Sequence, residues 1–86
     1  MIDIESLIRT MVEPLIEHPE EFKIDVVEGD KYMEYHLLLH QDDIGRVIGR
    51  KGRVIRSIRT IVYSIRQRGE KLSRIIVRDD IHDDVE

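Results

Sequence analysis

The 86-residue chain has no cysteine, no tryptophan, one phenylalanine and only two prolines. Without cysteine it forms neither disulfides nor thiolate metal sites, which suits a reducing compartment. With aromatic residues at 5% it has little with which to stack nucleobases. No apolar run approaches the roughly 20 residues that cross a bilayer. The acidic start Met1-Ile2-Asp3-Ile4-Glu5 does not read as a signal peptide. A soluble, cytoplasmic protein with no membrane association is therefore expected. Catalytic groupings are also scarce. Ser6, Ser57, Ser64 and Ser73 have no evident base–orienter pair. Gly52 is followed by Arg53, where a Walker loop needs Lys-Ser/Thr. Neither an enzyme nor a cofactor is expected.

What the chain does have is charge, unevenly placed. Its net charge of −4 hides a basic segment from Arg46 to Arg78, with eleven Lys/Arg against the single acid Glu70, a local +10. The remainder holds three bases and seventeen acids. A polyanion responds to that local field more than to the average.

Hydrophobic spacing gives the elements. Ile4, Leu7, Ile8, Met11, Val12, Leu15 and Ile16 recur at helical spacing, predicting an amphipathic helix over 3–17. Asp3 is its N-cap, Pro14 should kink or shorten its last turn, and His18-Pro19 stops it. Residues 22–27 alternate, with Phe22, Ile24 and Val26 facing inward. After the turn Glu28-Gly29-Asp30-Lys31, Met33, Tyr35, Leu37 and Leu39 alternate with polar neighbours, completing a hairpin. Asp42 or Asp43 is expected to cap a short helix carrying Ile44, Val47 and Ile48. Gly49–Gly52 interrupts it. A longer helix over Arg53–Arg66 carries Ile55, Ile58, Val62 and Ile65, with Val54 and Ile61 on a flank and Gly69 as its stop. Leu72–Arg78 is a last strand with Ile75 and Val77 inward. Residues 79–86 hold five acids in eight positions and should form a frayed tail behind one domain spanning 1–78. The order is αββααβ. The two-helix crossover favours a last strand parallel to the second, giving an α+β fold with a three-stranded mixed sheet and three helices on one face.

The loop Gly49-Arg50-Lys51-Gly52 has an identifiable use. Glycines admit backbone conformations closed to other residues and leave room for close approach. A helix that starts after Gly52 aims its free amides and positive dipole end at the loop, where phosphate binds readily. Arg50 and Lys51 add charge at that point, flanked by Arg46, Arg53 and Arg56. Alone, two glycines three apart are weak evidence, equally consistent with a tight turn and solvated charges. The flanks sharpen the reading. Val47-Ile48-Gly49-Arg50-Lys51-Gly52-Arg53-Val54-Ile55-Arg56-Ser57-Ile58 closely resembles the signature of KH domains, and αββααβ matches their type II variety. With Glu13-Pro14-Leu15-Ile16, Glu34-Tyr35-His36-Leu37 and Ile58-Arg59-Thr60-Ile61-Val62-Tyr63, the chain resembles small bacterial single-KH proteins of the KhpA type from about Ile4 to Val77.

That resemblance implies a stand-alone binder of single-stranded RNA. It also implies a homodimer, pairing with a larger KH protein of the KhpB type, and a role as RNA chaperone or post-transcriptional regulator in cell shape and wall synthesis. By position, Gly49, Arg50, Lys51 and Gly52 would clamp backbone phosphate. Gly45, Ile48 and Ile55 would floor the groove, and Arg46 and Arg53 would make edge contacts. About four nucleotides fit such a groove, so a second site is expected to supply affinity.

Other features divide between two readings. Ile61, beside Ser57 and Ser64, either completes the core or contacts a second copy, and the resemblance favours the dimer contact. Tyr63 reads as a solvent-exposed side chain rather than a stacking one, and Tyr32 and Tyr35 as hairpin and core residues. His36 and His40 lie about 13 Å apart along a strand, too far to share an ion, so no metal site is expected. Two competing functions remain, an assembly adaptor for a larger KH protein or the ribosome, and a helix-hairpin-helix DNA binder. The flanking strands disfavour the latter.

Overall fold

The computed structural model of the chain describes residues 3–65 and 71–78. Arg66, Gly69 and the acidic 79–86 segment, which carried expectations above, lie outside the described residues.

The first helix, α1, spans Ile4–Val12. Asp3 caps it: the carboxylate accepts the Glu5 amide at 3.2 Å and the Ser6 hydroxyl at 2.7 Å. It stops well short of residue 17. Pro14 has no amide to return to the Thr10 carbonyl, and its ring crowds that oxygen. The chain instead takes one 3₁₀ turn, Glu13–Leu15, and leaves it extended at Ile16. A second 3₁₀ turn, Pro19–Glu21, leads into the sheet.

Strands β1 (Lys23–Glu28) and β2 (Tyr32–Leu38) form the antiparallel hairpin, with Ile24 opposite Leu37 and Val26 opposite Tyr35. Strand β3 (Leu72–Arg78) lies parallel to β2, with Tyr35 opposite Ile75, so the order is β1-β2-β3. Between β2 and β3 run α2 (Gln41–Ile48) and α3 (Arg53–Ser64). Alternation puts Phe22, Tyr35, Leu37 and Ile75 on one sheet face, where they pack on Ile8 and Val12 of α1, Val47 of α2, and Ile55, Ile58 and Val62 of α3. Each such side chain contributes about 1.5–3 kcal/mol when fully buried. This fixes all three helices on that face. Val26, expected inward, is 42% exposed because β1 is an outer strand at the margin of the helical layer.

The β3 edge is covered from α3. The Tyr63 hydroxyl accepts the Ile75 amide at 3.2 Å, and Arg59 Nη2 donates to the Ile75 carbonyl at 3.2 Å. Tyr63 is therefore an exposed ring with an anchored hydroxyl.

The start of α2 departs from expectation. Its cap is neither aspartate but His40, whose Nδ1 accepts the Asp42 amide at 3.0 Å. Asp43 lies inside the first turn and is completely buried. Its two oxygens accept the Glu17 and His18 amides, each at 2.9 Å, and Arg46 Nε lies 3.5 Å away. Buried amides left without partners cost too much to keep, and the segment after α1 has no helix of its own to satisfy them. Burial pushes the Asp43 carboxyl up. The Glu17 and His18 amide bonds, with the charges of His18 and Arg46, more than offset it and hold the group below the usual aspartate range.

A depressed folded-state value means stability that is present above the unfolded pKa, about 3.9, and is lost as pH falls through the folded one. Asp43→Asn should cost about 1–3 kcal/mol in urea unfolding at neutral pH, because one buried amide loses its acceptor. It should also flatten the stability loss below about pH 4. A variant with the parent's stability and acid limb would show that the carboxylate does not hold this junction.

Candidate nucleic-acid interface

The loop is built from backbone before side chains matter. The Gly49 amide donates to the Gly45 carbonyl at 2.8 Å, closing α2, and the Gly52 amide donates to the Gly49 carbonyl at 3.1 Å. Arg50–Gly52 is a single 3₁₀ turn in which Lys51 sits at φ 56, ψ 26. Gly49 and Gly52 also take positive φ, 78 and 76.

The two glycines do different work. A Cβ at Gly49 would stand 2.4 Å from Val54 Cγ2 and 2.8 Å from the Val54 amide nitrogen, so no side chain fits. At Gly52 the nearest atom is the flexible Arg56 Nη2 at 4.0 Å, so only the φ of 76 selects glycine. The first glycine is thus a packing requirement that draws the loop onto the start of α3. The second is conformational. Helix α3 then begins with no side chain capping it, which leaves its N-terminal dipole end uncovered by any cap beside three bases.

Those bases are not equivalent. Arg50, Lys51 and Arg53 are exposed and make no ion pair with any described residue. Arg56 donates Nη2 to the Lys51 carbonyl at 3.3 Å and so braces the turn from α3. Arg46, expected alongside Arg53 as an edge contact, is held by Glu17 at 3.1 Å and by Asp43. Sequence carried no signal for Glu17, because only the Asp43 anchor brings it beside α2.

Of the expected apolar floor, Gly45 is exposed with nothing within 4 Å of a Cβ built on it, leaving an open step on α2. Ile48 is half-buried. Ile55 is 6% exposed and packs in the core, sharing the helical stripe of Ile58 and Val62. Ser57, Ile61 and Ser64 line the outer side of α3, with Ile61 47% exposed, so Ile61 does not complete the core.

Gly49→Ala should destabilise the fold by about 1–3 kcal/mol or more, through backbone strain and the Val54 clash together. Gly52→Ala should cost only the left-handed penalty, about 1–2 kcal/mol. Chemical denaturation of both variants checks this, and equal costs would contradict the division of roles.

Comparison with known proteins places this geometry. The KhpA/KhpB KH-domain family model matches residues 5–77. The RNA-binding protein KhpA of Lactiplantibacillus plantarum is 51% identical over 79 residues, 92% of this chain and 93% of the relative. That of Streptococcus pneumoniae serotype 4 is 49% identical over 77 residues, 90% and 96% of the two chains. The Listeria monocytogenes protein of the same name, from the serovar 1/2a strain, is 41% identical over 71 residues, 83% and 93%. No solved structure matches the chain with significance. Type II order, a glycine-bounded loop between α2 and α3, and relatives matched over nearly their full length agree: the chain belongs to the KhpA/KhpB family of KH domains.

Proposed function

We propose that this chain binds single-stranded RNA by seating a backbone phosphate on the Gly49–Gly52 loop. The observation that carries the reading is the conjunction at the start of α3. A helix N-terminus without a side-chain cap follows a loop whose Arg50, Lys51 and Arg53 side chains make no ion pair with any described residue. Aligned peptide dipoles favour an anion there, and the three cations raise its local concentration. The name RNA-binding protein carried by the relatives supports the same reading. Gly45 and Ile48 offer the adjoining apolar step for bases. Arg46 joins only by leaving Glu17. The resemblance extends the proposal to an RNA chaperone or post-transcriptional regulator in the cytoplasm that acts on cell shape and wall synthesis.

A short grip gives modest affinity, so a second binding unit follows naturally. Ile61 supplies a place for one. It is 47% exposed, and the hydroxyls around it are turned back onto the helix: Ser57 to the Arg53 carbonyl at 3.0 Å, Thr60 to Arg56 at 2.9 Å, Ser64 to Ile61 at 2.7 Å. A face with satisfied hydroxyls and one protruding isoleucine admits close helix packing. We assign to it the homodimer contact, and pairing with a larger KH protein of the KhpB type by the same surface. The second reading, an adaptor in which RNA binding is secondary, rests on this face.

Fluorescence anisotropy with a short unstructured RNA should show each of Arg50→Asp and Lys51→Asp weakening binding about tenfold or more, the loss of one charge-assisted contact. With about four phosphates neutralised, log affinity should fall against log salt with a slope near about −3. Unchanged affinity in both variants would remove the clamp and leave the adaptor reading. In sedimentation, Ile61→Asp should convert a dimer to a folded monomer, and a variant that still dimerises would move the contact elsewhere.

A further inference from the structure

The histidines suggested no metal site when His36 was paired with His40. The fold pairs His40 with His18 instead. Asp43 binds the His18 amide and so lays that residue against the start of α2. The two rings stack with centroids 3.9 Å apart and planes 16° from parallel. Asp42 Oδ2 lies 3.5 Å from His18 Nε2 and 3.6 Å from His40 Nδ1, and all three ligand atoms fall within 4.8 Å of one another.

We propose that His18, His40 and Asp42 form a binding site for a divalent first-row transition cation of the zinc class. Metal–ligand bonds of about 2.0–2.2 Å put the corners of a coordination tetrahedron about 3.3–3.6 Å apart, which the two measured separations already match. Two imidazole nitrogens and one carboxylate suit zinc and its neighbours rather than magnesium or calcium, which take oxygen cages. His40 Nδ1 accepts the Asp42 amide, so it carries the lone pair that ligation needs. Glu20 Oε2 lies 3.7 Å from His18 Nδ1, the nitrogen opposite the proposed ligand atom. That distance is longer than a hydrogen bond, and a small closure of the Glu20 side chain would let it take the ring N–H, fix the tautomer and raise the basicity of the ligating nitrogen. Asp42 is exposed and both histidines are half-buried, which leaves a fourth position open to water.

Two costs oppose loading. Near-parallel rings cannot both aim in-plane at one ion, so the stack must open and His40 must exchange the amide for the metal. The positive end of α2 repels a cation, but Asp42, Asp43 and Glu20 bring carboxylates to that end. Gly49 lies at the other end of α2, about 12 Å away at helical rise, so the ion and the RNA phosphate do not compete for one place.

The test is calorimetric titration of zinc chloride into the full chain without an affinity tag, with NMR of the histidine ring nitrogens. One zinc per chain is expected, shifting the ring signals of His18 and His40 but not His36. His40→Ala also removes the α2 cap, so His18→Ala and Asp42→Asn carry the comparison, each lowering affinity about tenfold or more. His36→Ala should bind as the parent does, and circular dichroism verifies that each variant is folded. The absence of saturable binding would overturn the proposal. So would zinc affinity unchanged in both His18→Ala and Asp42→Asn, which would place the ion elsewhere on the chain.

Discussion

Much of the arrangement depends on one buried carboxylate. Asp43 holds the Glu17 and His18 amides, which belong to a segment that Pro14 has already released from helix. That contact joins α1 to α2 on the inner face of the sheet and sets Glu17 against Arg46. Through α2 it also orients the loop at the far end. An ionised group with no exposed surface is costly, and it persists here because both oxygens are met by amides and Arg46 stands beside it.

From that junction the loop follows by local steps. Gly49 ends α2 and must be glycine because Val54 occupies the space of a side chain. The turn that results forces Lys51 to φ 56, a left-handed conformation costing a lysine about 1–2 kcal/mol. Strain of this kind gathers at places where a ligand is held. Arg56 offsets part of it by bonding the Lys51 carbonyl, leaving Arg50, Lys51 and Arg53 for an anion. Charge and backbone geometry thus converge on one point. An overall charge of −4 is no obstacle, because the acids lie mostly in the other half of the chain.

Most of the fold was legible because its determinants are periodic. Ile8 and Val12, Tyr35 and Leu37, and Ile55, Ile58 and Val62 mark their buried stripes in the sequence, and the two-helix crossover dictates the parallel strand. The loop was legible because it is contiguous. Features that depend on distant partners were not. Aspartate outranks histidine as a helix cap by propensity, yet His40 caps α2, because the orphan amides at Glu17 and His18 claim Asp43. The stack of His18 on His40, and the ion pair that ties Arg46 to Glu17, arise from the same long-range contact. The end of α1 comes earlier than the apolar spacing to Ile16 suggested for a local reason: Pro14, expected to kink or shorten the last turn, ends the α-helix at Val12.

The central claim is that phosphate sits on the backbone between Gly49 and Arg53. Amide-resolved ¹⁵N–¹H correlation spectra, recorded while a short unstructured RNA is added, read those groups directly. The account predicts that the largest shifts fall on Gly49–Arg53 and the first turn of α3, and that they shrink as salt is raised. Loop amides that stay in place while shifts gather on the Ile61 side of α3 or on the uncovered sheet face would contradict it.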